Sequence, residues 1–299
     1  MPDTRQAVFA LVSLALAGCG TAPPRSVFPS GDAALARMKD TFACVNGVQG
    51  TAKIDRFAPD EKIKRVRGEL TLMAVNPDRV RFDVIGPLGA MLFTLTADGQ
   101  QFQMLDFKQG QLLHGPASPC NLARLTHVPI PGHALVSLLR GEAPVLLHQP
   151  GSAKITWDKG EGYYRVTVPS TRGASEEILL GVRPEDWDKP WEQQRVRVLG
   201  VLVSQGGRGL YQAELKNHED AKTSEPRVDP EGIDPDIPPS GPACGAELPR
   251  SIRLRVPHTG EDVIFQYKEA RWNPPILQGA FTQPMSGSGI RPVFVDCTK

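Results

Sequence analysis

The sequence predicts a mainly β fold of the α+β kind, one strongly curved antiparallel sheet holding a small helical plug. Apolar and polar residues alternate along most of the chain from Thr51 to Tyr267, the period of a half-buried strand. The links between alternating runs are short and rich in Gly, Pro, Asn and Asp, which joins neighbouring strands antiparallel. Too few segments carry helical spacing to cover the apolar face of so large a sheet. Curving the sheet around those segments, with apolar volume left between, is the economical solution.

The chain opens with Arg5 and an apolar run from Ala7 to Ala17, too short to cross a bilayer core of ~30 Å as a permanent helix. It reads as a cleavable signal over residues 1–18. Its end, Leu16-Ala17-Gly18-Cys19, resembles the bacterial lipobox. That resemblance implies cleavage before Cys19 and acylation of its sulfur and new amine. At ~0.8 kcal/mol per buried methylene, two or three chains anchor a protein almost irreversibly. Gly20 stands where enteric bacteria commonly use Asp to retain lipoproteins in the inner membrane, so the expected location is the periplasmic face of the outer membrane.

Residues 19–31 are expected to be the lipidated Cys and a flexible tether, ahead of one domain spanning 32–299. From Asp32 to Val45, Leu35, Met38, Phe42 and Val45 share one helical face, with Ser30 or Asp32 placed to cap it. Strands follow at Thr51 to Phe57, Ile63 to Val75, Arg79 to Ile85, Ala90 to Ala97 and Gln101 to Phe107. Pro119 to Leu125 and Pro131 to Leu139 then interrupt the sheet. In the second, Leu135, Leu138 and Leu139 form a stripe that Gly141 closes.

Strands resume at Lys154 to Trp157, Tyr163 to Pro169, Glu177 to Val182, Arg195 to Ser204 and Leu210 to Leu215. Gly206 to Gly209 joins two strands without opening a helix, so it reads as a hairpin turn and not as a phosphate cradle. Between Asn217 and Leu248 the chain is Pro-rich and acidic and is expected to form an extended or disordered insertion. Ile252 to Val256 and Val263 to Tyr267 alternate again and close the sheet.

Formal net charge is +1, and removing residues 1–18 takes away one Asp and one Arg, so nothing favours nucleic acid as a partner. Besides Cys19 there are Cys44, Cys120, Cys244 and Cys297, an even number in an exported chain, which favours disulfides. Three pairings are open. A shared place in the final region favours Cys244 with Cys297, leaving Cys44 with Cys120.

The block VRFDVIGPLGAMLFTLTADGQQFQML ending at Leu105, and VPIPGHALVSLLRGEAP from Val128 to Pro144, resemble LolB, the outer-membrane lipoprotein acceptor, in the family's order. The turn Gly86-Pro87-Leu88-Gly89 and the helix start Pro129-Ile130-Pro131 carry the likeness. Asn273-Pro274-Pro275, Phe281 and Pro292 to Val295 are similar to the way LolA- and LolB-like domains end. The likeness covers about Asp32 to Leu215 and Leu248 to Cys297. The Pro-rich insertion and the four thiols depart from the family's plan.

The resemblance implies an incomplete, apolar-lined β-barrel with a helical lid. It also implies acylated lipoproteins or lipids as cargo and a periplasmic LolA-like carrier as partner. Leu88, between Pro87 and Gly89, matches the family's protruding membrane-insertion residue; its other reading is a turn leucine packed inward. Alternation nominates cavity or lid residues. Phe82 and Val84 share a face, while Leu92 and Thr94 compete with Phe93 and Leu95 for the inward face of the next strand. Leu135, Leu138, Leu139, Val166 and Val168 complete the set. Each fits closed core packing equally well.

No enzymatic pattern emerges, and no cofactor or metal is expected. The six His residues are scattered without ligand spacing, and Ser286 to Gly289 lacks the order of a nucleophile elbow. Glu176-Glu177 and Glu185-Asp186 are adjacent, so in a strand they point to opposite faces and read as solvated charge. The four Trp residues read as packing or interface groups. A lipid-handling acceptor and a non-catalytic phospholipid or glycolipid carrier, sensor or interaction module on the same fold are the two readings.

Overall fold

A computed structural model describes residues 20–60, 62, 64–86, 89–283 and 289–297. The signal, Cys19, Pro87 and Leu88 lie outside the described residues. Helix α1 (Gly31–Phe42) comes first, followed by a meander of β1 (Gly47–Phe57), β2 (Arg65–Val75), β3 (Arg79–Ile85), β4 (Met91–Ala97), β5 (Gln101–Asp106) and β6 (Gln111–Pro116). Helices α2 (Pro119–Thr126) and α3 (Gly132–Leu139) interrupt it. A second meander comprises β7 (Lys154–Asp158), β8 (Tyr163–Pro169), β9 (Ala174–Val182), β10 (Val196–Gln205), β11 (Arg208–Asp220), β12 (Glu247–Arg255) and β13 (Asp262–Trp272), before a short β14 (Arg291–Phe294).

Among the described residues these strands form one 14-stranded sheet, ordered β14-β6-β5-β4-β3-β2-β1-β13-β12-β11-β10-β9-β8-β7. Every pairing is antiparallel except β14 with β6. The two edges do not pair, so the barrel is incomplete. The β1–β13 pairing joins the two meanders, with Ile54 opposite Phe265.

Antiparallel order sorts the connections to two ends. The links at 57–65, 85–91, 106–111, 169–174, 205–208 and 255–262 gather at one end, termed the mouth. Those at 75–79, 97–101, 158–163, 182–196 and 220–247 gather at the other, the base. Two positive-φ glycines, Gly206 and Gly207, make the two-residue turn between β10 and β11, as a hairpin requires.

Helix α1 packs on β7, β8 and β10, and α3 on β2 and β3. Ser30 caps α1 by accepting the Ala33 N–H at 3.1 Å. A Cβ at Gly31 would lie 2.5 Å from the Ala153 carbonyl oxygen, so only glycine fits that approach. Tyr267 donates its hydroxyl to the Leu139 carbonyl at 3.0 Å and ties the end of α3 to β13.

Several expectations change. Residues 20–30 do not trail as a free tether: Thr21 donates its N–H to Lys159 O at 2.8 Å, and Trp157 donates Nε1–H to Thr21 O at 2.8 Å. Phe28 is buried edge-on against Tyr164 and Trp191. Aromatic burial supplies what the polar residues of this segment lack.

The disulfides are Cys44–Cys244 and Cys120–Cys297, which overturns both favoured pairings. The β1–β13 pairing brings the end of α1 beside the return of the insertion, and β14 pairing with β6 carries the last Cys to the start of α2. In the insertion, Asn217 to Asp220 extend β11, and Glu247 and Leu248 begin β12. What remains is an extended loop whose Arg227 and Ile237 exchange backbone hydrogen bonds at 2.9 and 3.0 Å. Strands β6 and β14 were not expected from the sequence pattern.

Candidate functional site

The site is the mouth of the incomplete barrel. Buried side chains elsewhere form one continuous core in which α1 contributes Leu35, Met38 and Phe42, and α3 contributes Leu135, Val136, Leu138 and Leu139. At the mouth the pattern reverses. Val66, Met91, Leu92, Phe107, Leu147 and Leu210 are exposed around it, with Leu147 69% exposed. Each of the five on strands or turns sits at a strand's mouth end, where the sheet face passes from core to solvent. Such a ring of apolar side chains marks a surface that meets something apolar.

Two grooves run through this ring, and a third lies between them. The first, of about 310 Å³, lies among Val66, Val84, Ile85, Leu92, Phe93 and Leu125. The second, of about 910 Å³, lies under Val145 to Leu147 and across Val203, Leu210, Tyr211 and Val256. A third, of about 640 Å³, follows α2 and shares Met104 and Arg124 with the first and Pro129 and Glu261 with the second. They therefore meet around α2, and each by itself is within the size range of small-molecule sites.

The 142–152 segment roofs the second groove and is held by specific bonds. Leu146 donates its N–H to Glu176 Oε2 at 2.8 Å, and Leu147 O accepts from Thr171 N–H at 3.0 Å. His148 contacts Asp32 Oδ1 at 3.2 Å. Glu176 is fully buried, and that burial pushes its carboxyl up to about 8, against the lowering effect of the Leu146 N–H. The Tyr211 hydroxyl is pushed up in turn by burial and by the nearby Glu176 charge.

The nominated residues divide. Phe82, Leu135, Leu138, Leu139, Val166 and Val168 are buried in the common core beside one another. Val84 is buried too, but it lines the first groove. On β4, Phe93 and Leu95 oppose Val84 and Phe82, so the inward register is Phe93-Leu95-Ala97. Leu92 is therefore not an inward residue of the barrel, as nominated; it stands 36% exposed at the strand's start and borders the first groove. Thr94 and Thr96, on its side of the strand, are covered instead by Gln283, whose Nε2 donates to Thr94 O at 2.9 Å.

Gly86 and Gly89, which flank residues 87 and 88 in the sequence, stand at this end. Gly86 N–H donates to Ala90 O at 2.8 Å, and Gly89 N–H to Gly86 O at 3.0 Å. Gly89 has φ +79, and nothing lies within 4 Å of where its Cβ would be. The role of Leu88 falls outside the described residues.

Glu176 and Glu177 lie on a strand, but Glu185 and Asp186 lie in a 3-10 turn and converge on Arg195 Nη2, each at 3.0 Å, and one of each pair is buried, which corrects the solvated reading. Glu176 holds the roof, and Asp186 accepts from Arg195 Nε at 2.7 Å and from Lys189. Trp157 and Trp187 pack edge to face, and Trp272 is buried with Nε1 donating to Ala246 O at 3.1 Å. The His residues are dispersed: His114 meets Phe294 edge to face, His218 contacts Val198 O at 3.0 Å, and His133 and His258 border the second groove. Among the described residues no group of three or more His, Cys, Asp or Glu could hold a metal ion, and no helix is long and apolar enough to cross a membrane. The exposed apolar ring escaped sequence reasoning, because each of its members reads as an ordinary strand or loop residue.

No protein-family model and no curated protein matches the chain. Among solved structures, a DUF1329 family protein from Desulfovibrio piger matches with a TM-score of 0.50 at 9% identity, over 84% of this chain and 95% of that one. A LolA superfamily protein from Nitrosomonas europaea gives 0.46 at 12% identity, over 85% and 98%. A putative outer membrane lipoprotein-sorting protein domain from Vibrio parahaemolyticus gives 0.44 at 8%, over 84% and 97%. At these identities the Desulfovibrio piger likeness speaks for the fold alone: a mainly antiparallel sheet curved into an incomplete barrel.

Proposed function

We propose that this chain is a lipid-anchored envelope protein that binds acyl chains of lipoproteins at its mouth and passes them into the outer membrane. The two mainly apolar grooves at the end that carries the β3–β4 turn, bordered by the exposed Val66, Leu92, Leu147 and Leu210, are the observation behind this reading. No covalent bond changes. Transfer needs only that acyl chains prefer this surface to the carrier's, and the membrane to this surface. Lipidation of Cys19, a LolA-like periplasmic donor, and Leu88 as the residue that enters the membrane complete the proposal.

The test is to export the chain as Cys19→Ala through an ordinary signal in its native host, purify it from the periplasm, and identify what it carries by native mass spectrometry. Triacylated lipoproteins are expected. A chain recovered with a stoichiometric protein and no lipid would overturn the reading. Leu88→Glu is expected to abolish release into outer membrane while leaving binding intact.

A second reading, an interaction module, is favoured by the insertion, where Val228 and Ile233 are 61% and 79% exposed. Removing 225–239 spares β11 and Cys244 and joins two points held beside β13, Ser224 on Trp272 O and Ser240 on Asn273 O. The acceptor reading expects transfer to survive this deletion.

A further inference from the structure

The second groove is not uniformly apolar at its border. Arg172, in the β8–β9 turn, and Arg208, at the start of β11, both line it, with His133 and His258 further round. Several arginines elsewhere on the sheet are occupied. Arg65 and Arg67 bind Asp55, Arg165 binds Asp158 and Glu177, Arg253 binds Asp262, and Arg255 binds Glu214. Among the described residues the side chains of Arg172 and Arg208 make no hydrogen bond or ion pair. The one carboxylate lining the groove, Glu261, accepts from Thr259 Oγ1 at 2.9 Å.

The two turns that carry these arginines are held side by side. Gln205, directly before the turn into Arg208, donates Nε2–H to the Arg172 carbonyl at 3.3 Å, and Ser175 and Ser204 share a hydrogen bond at 2.9 Å just inside. Like charges placed on neighbouring turns repel unless an anion lies between them. A tetrahedral phosphate offers each planar guanidinium its own pair of acceptor oxygens. The apolar lining beside them is Val145 and Leu147 of the roof and Val203 and Leu210 across from it, with no further Lys or Arg lining the groove.

We propose that this groove binds one anionic phospholipid, its phosphate bridging Arg172 and Arg208 and one acyl chain lying along Val145, Leu147, Val203 and Leu210. The inference rests on the reading that acyl chains enter at the mouth, and adds to it a headgroup that a lipoprotein's diacylglycerol does not have. It gives the protein a hold on the lipids of the receiving leaflet, beside the path of the cargo.

The test uses the full mature chain with Cys19→Ala, stripped of lipid, and short-chain phosphatidylglycerol below its micelle concentration. The controls are diacylglycerol with the same chains and inorganic phosphate. Phosphatidylglycerol is expected to bind at least about tenfold tighter than diacylglycerol, the scale of one charge-assisted interaction. Arg172→Gln with Arg208→Gln should erase that preference. Lys222→Gln with Arg227→Gln, at the base, should leave it unchanged. Both arginines are exposed, so an unchanged melting temperature separates binding from folding. Equal binding of phosphatidylglycerol and diacylglycerol, or full binding by the arginine double variant, overturns the headgroup inference and leaves acyl binding standing. Inorganic phosphate binding as tightly as the lipid overturns it too, since the apolar lining would contribute nothing. Failure of every lipid to bind overturns both readings.

Discussion

Asn273 donates Nδ2–H to the carbonyl of Cys44 at 2.8 Å, across a sequence separation of 229 residues. The same side chain donates to Pro242 O at 2.7 Å and accepts from the backbone N–H groups of Asn46 at 2.7 Å and Gly47 at 3.2 Å. One buried amide therefore ties the end of α1, the start of β1 and the returning insertion to the end of β13. Its φ of 54 is the left-handed conformation that Asn tolerates. Asn273→Gly keeps that backbone and removes only the side chain. It is expected to cost about 3 kcal/mol, since buried backbone groups lose their partners. Urea unfolding of the two proteins measures it, and a loss under about 0.5 kcal/mol would show that water replaces the amide.

The Cys44–Cys244 bridge pins the same junction covalently over a separation of 200 residues. Cross-links that close long loops restrict the unfolded chain most, so Cys44→Ser with Cys244→Ser is expected to cost about 3–5 kcal/mol. The insertion should loosen first. A glutamate-specific protease should cut at Glu225 or Glu231 faster in this variant than in Cys120→Ser with Cys297→Ser, whose bridge ties α2 to the C-terminal segment instead.

Glu176 gives stability a pH dependence of defined sign. Burial raises its folded carboxyl to about 8, above the unfolded value near 4.5, so the folded protein holds a proton that the unfolded chain has released. The stabilisation is complete below about pH 4.5 and is lost as pH rises through about 8, on the order of 4 kcal/mol over that interval. Glu176→Gln keeps an acceptor for Leu146 N–H and carries no charge. It should flatten this slope and be the more stable protein at pH 8. Parallel denaturation profiles from pH 5 to 8.5 check it, and identical slopes would mean that the carboxylate finds solvent through the groove.

Much of the fold was legible because alternation and turn chemistry agree. β3 and β8 begin and end where their pattern does, and Gly206-Gly207 carries its hairpin on its face. What stayed hidden depends on contacts between distant segments. β6 contains Leu112-Leu113 and Gly115-Pro116, which break the alternation, and β14 begins Arg291-Pro292 and exists only by pairing with β6. Cysteine pairing followed strand order, which spacing does not encode. At the site, the Gly86–Gly89 turn and α3 were readable from their residues. The exposed ring was not, because whether Leu147 or Leu210 faces solvent is decided by where the sheet ends.

The packing of residues 20–28 bears on how an anchored protein would be oriented. Thr21 is bound at Lys159, in the base, while the grooves open at the mouth, and β11, with 13 residues, spans about 40 Å between the two ends. If Cys19 is lipidated, it lies one residue before Gly20, so the membrane would hold the base and the mouth would face away, toward a soluble carrier. Phe28 is the fastening, buried with its ring centroid 5.0 Å from that of Tyr164. Phe28→Ala is expected to cost about 3 kcal/mol locally. It would free nine residues, enough for about 30 Å of extended chain, and let the mouth reach the bilayer. A fluorophore on Leu147→Cys in lipidated protein on vesicles should be quenched more strongly by a lipid-phase quencher in Phe28→Ala than in the parent, whose mouth meets the bilayer only when the segment detaches. Equal quenching in both would mean that the segment already detaches at the membrane, and that the docked form belongs to the carrier-facing step alone.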